Sequence, residues 1–261
     1  GSTFKMVTAV AGLESGIIEP DTEIMDTGVY TYYQDDGPQC WYWRQYRRKH
    51  GLVNVSEALE VSCNVFFFDV GRRVGIQGLQ EFAAKFGLGE PTGIELYEET
   101  GVMAGPEYTQ SMGQTWYEGS TLSVAIGQES SQFTPLQLAN YVATLANGGK
   151  HYPVHLLKTV KTNDFSQVVE EYEPEPLDTI DIAPENLSAV LEGALGALGG
   201  RLGKLLFKLA VEESMLMHII SHDTDITPDE LEHLRGRCVK DVMRTHGMIG
   251  FKDILRFQKE L

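Results

Sequence analysis

The sequence is poor in cysteine, poor in basic residues and free of long apolar runs. Three cysteines in 261 residues, Cys40, Cys63 and Cys238, are too few for a disulfide framework. Their odd number leaves at least one thiol unpaired within the chain. No apolar stretch approaches the roughly 20 residues that cross a bilayer; the longest candidate is Val65-Phe66-Phe67-Phe68. No signal peptide stands at the amino end. Lys and Arg total 21 against 37 Asp and Glu, a net charge of −16. That balance argues against nucleic acid and against anionic membrane surfaces as partners. The shortage of basic residues is local. Residues 1–198 hold 11 basic and 27 acidic residues, whereas 199–261 hold 10 of each. Composition thus separates residues 1–198 from a neutral tail, 199–261. The hydrophobic fraction of 42% is enough for a real core.

Local signals predict a mostly helical chain. Residues 2–15 read as a helix with Ser2 as N-cap and Gly16 past its end. Residues 20–54, rich in Tyr, Asp, Gly and Trp, read as ordered loops with short strands. Ser56 to Val74 reads as one or two helices burying the phenylalanine run, and Gly75 to Phe86 as another. Residues 90–120 look like a long surface excursion. Thr134-Pro135-Leu136-Gln137 opens a helix that Asn147-Gly148-Gly149 stops. A β-hairpin around Asn163-Asp164 and a helix over 184–198 follow. In the tail, 201–221 reads as a helix, and Thr227-Pro228-Asp229-Glu230 is a capping box before another.

The chemistry begins at the amino end. Ser2-Thr3-Phe4-Lys5 places a hydroxyl and an amine one helical turn apart. A neutral lysine there can take the serine proton and activate the oxygen. Ser62-Cys63-Asn64 could complete the same site. Ser-x-x-Lys alone is a weak signal, expected by chance about once in a chain this long. The plainer reading is a capping serine with a solvated lysine, and a locally bonded Ser62 and Asn64. Other clusters have plain readings too. His218 and His222 lie four apart without a third ligand at motif spacing, so no metal site is assigned. Arg235, Arg237, Lys240 and Arg244 fit a solvated helix face. Trp41, Trp43 and the tyrosines of 30–46 fit loop packing better than a glycan or partner surface.

The surroundings of the motif carry more information. The segment from Gly1 to Gly16, GSTFKMVTAVAGLESG, resembles the nucleophile helix of class B penicillin-binding proteins, nearest to the penicillin-binding protein 2 branch. Val55-Ser56-Glu57-Ala58-Leu59-Glu60-Val61-Ser62-Cys63-Asn64 resembles the second motif region of that family. Pro91-Thr92-Gly93-Ile94-Glu95-Leu96, Ala125-Ile126-Gly127-Gln128 and Phe133-Thr134-Pro135-Leu136-Gln137-Leu138-Ala139-Asn140 resemble further segments in family order. The likeness covers about residues 1–198.

The resemblance implies an α+β transpeptidase domain of the penicillin-binding-protein and serine β-lactamase type. It implies peptidoglycan D,D-transpeptidation through a serine acyl-enzyme on D-Ala-D-Ala stem peptides, with β-lactams as inhibitors. Ser2 would be the nucleophile, Lys5 the base, Ser62 the proton relay and Asn64 the substrate-binding amide. Half the oxyanion hole would come from the Ser2 N–H. Neither metal nor organic cofactor is implied. The parent would work at the outer face of the cytoplasmic membrane with other cell-wall synthesis proteins, and this chain would be a portion starting inside it. β-Lactamase activity is disfavoured, because no Glu-x-x-Leu-Asn segment supplies a deacylating glutamate; Glu57 and Glu60 read as helix-surface charge. One family motif is missing: no Lys-Thr-Gly or Lys-Ser-Gly follows Ser62. Most of the central sheet is therefore expected to be absent, leaving a truncated, mostly helical domain. The alternative function is an inactive fragment or chimaera acting at most as a binding module, with 199–261 a helical tail.

Overall fold

The computed structural model describes residues 1–199; the readings for 201–261 lie outside the described residues. A 3-10 turn, Ser2–Phe4, leads into α1 (Lys5–Glu14). A short strand β1 (Ile24–Asp26), α2 (Trp41–Tyr46), and a second strand β2 (Gly51–Val53) follow. Then come α3 (Val55–Glu60), α4 (Asn64–Lys85), α5 (Pro106–Ser111), α6 (Ser120–Ala125) and α7 (Pro135–Ala146). Strands β3 (Lys150–His151), β4 (Thr159–Lys161), β5 (Val168–Glu171) and β6 (Asp178–Thr179) precede a helix, α8, over 184–199. The described strands form three two-stranded antiparallel pairs, β1–β2, β3–β6 and β4–β5. The portion is thus mainly helical with little sheet.

The core is built around α4. Val65, Phe66, Phe67 and Phe68 are all buried, as an apolar run too long for one helix face requires. α1 packs on one side of α4 and α6 on another. Small residues set both approaches. A Cβ added at Gly12 of α1 would lie 2.6 Å from a Val70 methyl, and one at Gly71 of α4 would lie 2.2 Å from the Ala125 Cβ of α6. Gly71→Ala should therefore destabilise by about 1–3 kcal/mol through overpacking; a urea midpoint equal to that of the parent would disprove the tight contact. The last part of α4 is offset at Gly75, whose φ of 78° and ψ of 165° are non-helical. This is the boundary that the sequence placed between two helices.

Two local expectations needed correction. Ser2 does not cap α1 with its side chain; it lies inside the 3-10 turn that Gly1 precedes, Phe4 stands at the α1 cap, and the Ser2 hydroxyl accepts from Ser62. The loop region 20–54 also contains α2, which has no buried residue and no capping side chain. Its aromatic run carries no helical stripe because tertiary contacts, not amphipathicity, hold it. The α7 start is as expected. Thr134 and Gln137 form a reciprocal capping box. Gln137 is buried and its Nε2 also donates to Glu90 O (2.8 Å) and Thr100 O (2.6 Å), tying down the 90–120 excursion.

Candidate active site

The start of α1 is held from behind by the α6–α7 region. Thr8 Oγ1 donates to Ala125 O (2.7 Å), the Tyr141 hydroxyl donates to Thr3 O, and Phe4 stacks on Phe133 at 5.9 Å. Gly127 lies against the turn that carries Ser2. A Cβ there would sit 2.2 Å from Gly1 O and 2.6 Å from the Phe4 Cβ, and its φ of 69° is already in the left-handed region. Two sequence segments singled out above thus act as a bed for the nucleophile turn. Gly127→Ala should displace Ser2 and cost about 1–3 kcal/mol, which thermal unfolding would measure.

Lys5 is buried, with 1% of its surface exposed. Its ammonium donates to three oxygens: Ser62 O (2.8 Å), Ser62 Oγ (2.9 Å) and Asn64 Oδ1 (2.6 Å). Three acceptors match the three N–H bonds of a charged amine. The Phe67 ring lies 5.6 Å below the same nitrogen. Ser62 Oγ in turn donates to Ser2 Oγ (3.0 Å). All four residues expected from the motifs are therefore joined in one hydrogen-bonded chain, Ser2–Ser62–Lys5–Asn64. Ser2 reaches the amine through Ser62. Burial lowers the Lys5 pKa to about 8, although the neighbouring Cys63 and Cys40 thiols oppose the shift. An amine in that range can exchange a proton near neutrality.

Ser62 owes its place to how α3 ends. Its φ is 54°, in the left-handed region. Ser62 N–H donates to Leu59 O (3.1 Å) and Cys63 N–H to Ala58 O (2.8 Å). These two bonds are those of a Schellman motif, in which the left-handed position usually holds glycine. A serine there accepts strain of about 1 kcal/mol in exchange for a hydroxyl at the turn. Ser62→Gly should accordingly be about 1 kcal/mol more stable than Ser62→Ala, although both lack the hydroxyl. Equal denaturation midpoints would show that the turn relaxes instead. At the other end of α3, Asn54 and Glu57 form a capping box, so Glu57 has a structural role beyond surface charge.

A second cluster adjoins this turn, and the sequence did not reveal it as a set. Asp26 ends β1, Cys40 precedes α2, His50 precedes β2 and Cys63 precedes α4. Their ligand atoms all lie within 4.8 Å of one another. His50 Nδ1 is 2.7 Å from Asp26 Oδ2 and 3.5 Å from Cys40 Sγ, and Cys63 Sγ is 3.5 Å from Asp26 Oδ2. Burial opposes ionisation of Asp26, but hydrogen bonds from His50 and the Gly28 N–H outweigh it and hold the carboxyl at about 2. Burial also opposes charging of His50, yet Asp26 and Cys40 raise it to about 9. The Cys40 thiol is lowered, chiefly by its hydrogen bond with Cys63, which is itself pushed up. Two sulfurs, an imidazole and a carboxylate form a donor set that zinc accepts in tetrahedral geometry. Four protein donors leave no open position, so a metal held here would brace the loops and not touch substrate. The four donors come from separate segments, with irregular spacings that match no metal motif, which is why the sequence reading missed them.

The family model for the penicillin binding protein transpeptidase domain matches residues 1–193. The chain belongs to that family. The peptidoglycan D,D-transpeptidase MrdA of Acinetobacter baumannii is 36% identical over 160 residues, covering 60% of this chain and 23% of the relative. MrdA of Escherichia coli K12 is 37% identical over 179 residues, 66% of this chain and 27% of the relative. The crystal structure of Pseudomonas aeruginosa penicillin-binding protein 2 with WCK 5153 superposes with a TM-score of 0.64 at 33% identity, over 74% of this chain and 42% of that one. The chain thus spans about a quarter of the length of these two curated relatives. It is a penicillin-binding-protein transpeptidase sequence, of the peptidoglycan-synthesis family.

Proposed function

We propose that this chain carries the acylation machinery of a peptidoglycan D,D-transpeptidase. The observation behind this reading is the continuous chain from Ser2 through Ser62 to a buried Lys5. Ser2 Oγ attacks the carbonyl carbon of the penultimate D-Ala of a stem peptide, or of a β-lactam ring. Its proton passes through Ser62 toward the neutral Lys5 amine and returns by Ser62 to the departing nitrogen. Asn64, with Oδ1 on Lys5, offers its amide NH2 to a substrate carbonyl. The Ser2 N–H lies in the first helical turn, where no intrahelical acceptor exists, and is suited to the developing oxyanion. An amine of a second stem peptide then takes the acyl group, closing a cross-link. No step passes through the Asp26, Cys40, His50 and Cys63 cluster.

By the same likeness, the parent acts outside the cytoplasmic membrane with other cell-wall proteins. A related solved structure is a complex of Helicobacter pylori penicillin-binding protein 2 with MreC, at 26% identity and a TM-score of 0.60. A second reading, an inactive fragment, is favoured by the missing Lys-Thr-Gly, since losing one oxyanion donor costs about 10²–10³ in rate. Incubation with a fluorescent penicillin and peptide mapping by mass spectrometry separate the two. A stable adduct on Ser2, absent in Ser2→Ala, supports the transpeptidase reading; an unmodified protein supports the inactive one. Residues 199–261 are proposed as a separate helical module, and their deletion should leave any Ser2 adduct intact.

A further inference from the structure

The turn that presents Ser62 is held from outside α3 by Lys5, on Ser62 O, and by a second contact one residue earlier. Val61 caps α3, and its carbonyl is one of the last of a helix, the groups that lack an intrahelical donor. The indole Nε1 of Trp41 donates to that carbonyl at 3.0 Å. Trp41 is the first residue of α2, twenty positions earlier in the chain. α2 is itself fixed on both sides of this residue. Cys40 N–H donates to Gly28 O (2.9 Å), and Tyr42 stacks on His50 at 4.8 Å. Trp41 also contacts the His50 and Tyr46 rings at 5.9 and 6.3 Å. A residue of a short helix that has no fully buried side chain thus reaches the peptide next to Ser62. The following residues, Ser62, Cys63 and Asn64, are the relay, a member of the buried donor cluster and the Lys5 partner.

We propose that Trp41 is a positioning residue for the acylation step. By holding the Val61 carbonyl, it keeps the peptide unit before Ser62 in the orientation that the left-handed φ of 54° requires. Without that bond, the strained turn can relax toward ordinary helical or extended angles. The Ser62 hydroxyl then leaves the line between Ser2 and Lys5. Trp41 acts through Ser62 and touches no reacting atom. The inference rests on the proposed acylation chemistry for its kinetic consequence, but not for its structural one.

The test uses the full chain and Trp41→Phe, which keeps an aromatic ring and removes the N–H. The expected acylation rate with a fluorescent penicillin falls about 3- to 10-fold, the ordinary worth of one hydrogen bond, with little change in initial binding of the drug. In a Ser62→Ala background the same substitution should have no further effect, because the hydroxyl being positioned is gone. Amide hydrogen exchange at Ser62 and Cys63 should accelerate in Trp41→Phe while exchange in α4 stays as it was. Equal Trp41→Phe losses in both backgrounds, or unchanged exchange at Ser62 and Cys63, would overturn the proposal. If the parent chain forms no adduct, the transpeptidase reading fails on its own, and hydrogen exchange still decides the role of Trp41. Unfolding of Trp41→Phe would be met by the Trp41 analogue 3-benzothienylalanine, which preserves shape without the donor.

Discussion

Replacing Lys5 by methionine is expected to slow acylation of Ser2 by about 10²–10⁴-fold, the usual worth of a positioned general base. The side chain is buried and makes three hydrogen bonds, two of them to Ser62 and one to Asn64. Methionine matches its length and removes the proton acceptor, so the hydroxyl chain from Ser2 ends at Ser62. The parent protein should also show a pH signature. Burial holds the Lys5 pKa at about 8. The neutral fraction therefore rises from about 0.1 at pH 7 to about 0.9 at pH 9, and the acylation rate should climb with it. Stopped-flow labelling with a fluorescent penicillin across that range gives both results. A Lys5→Met protein that acylates at the parental rate would remove lysine from the mechanism. A flat profile from pH 7 to 9 would do the same for its titration as the controlling step.

Zinc, if it is held by Asp26, Cys40, His50 and Cys63, should raise the stability of the chain. The donor atoms of Asp26, Cys40, His50 and Cys63 lie within 4.8 Å of one another. Bonds of 2.0–2.3 Å to a tetrahedral zinc set the donors about 3.3–3.8 Å apart, so the widest pairs would close in and the 2.7 Å His50–Asp26 pair would open. A ligand that binds only the folded state at 1,000 times its Kd adds about 4 kcal/mol. Thermal unfolding after dialysis against a chelator should therefore give a markedly lower midpoint than unfolding with zinc restored. Cys63→Ser and His50→Ala should each lose most of that difference. Metal analysis should find one zinc per chain in the parent and much less in the two variants. Identical midpoints with and without zinc, with no retained metal, would leave the four residues as a polar cluster satisfied among themselves. Because Cys63 lies between Ser62 and Asn64, loading should also slow hydrogen exchange in that turn.

Much of the secondary structure was legible because its signals are local. Thr134, Pro135 and Gln137 specify a helix start by bonds made within four residues. Gly75 breaks α4 through its own backbone angles, and Asn163-Asp164 lies in the loop between β4 and β5. By contrast, α2 was missed because nothing in Trp41-Tyr42-Trp43-Arg44-Gln45-Tyr46 favours a helix by pattern. What holds it is Cys40 on Gly28, Tyr42 on His50 and Trp41 on Val61. Likewise, the capping role read for Ser2 failed because a 3-10 turn, Ser2–Phe4, precedes α1, and the Ser2 hydroxyl there meets the distant Ser62 hydroxyl.

The sequence by itself determined the family, the longer helices and the four residues of the proposed acylation chain. Spacing places Ser2 and Lys5 on one helical face, and the surrounding segments match the transpeptidase family in order. Tertiary structure decided everything that depends on groups far apart in the chain. It brought Ser62 and Asn64 to Lys5 across nearly 60 residues, and only that burial lowers the amine pKa. It also made a left-handed Ser62 tolerable, by a helix cap and a tryptophan from another element, and gathered Asp26, Cys40, His50 and Cys63 from four separate segments. Sequence spacing encodes neighbours along a helix or strand. Solvation, strain and convergence of side chains arise only when separate segments exclude water from one another.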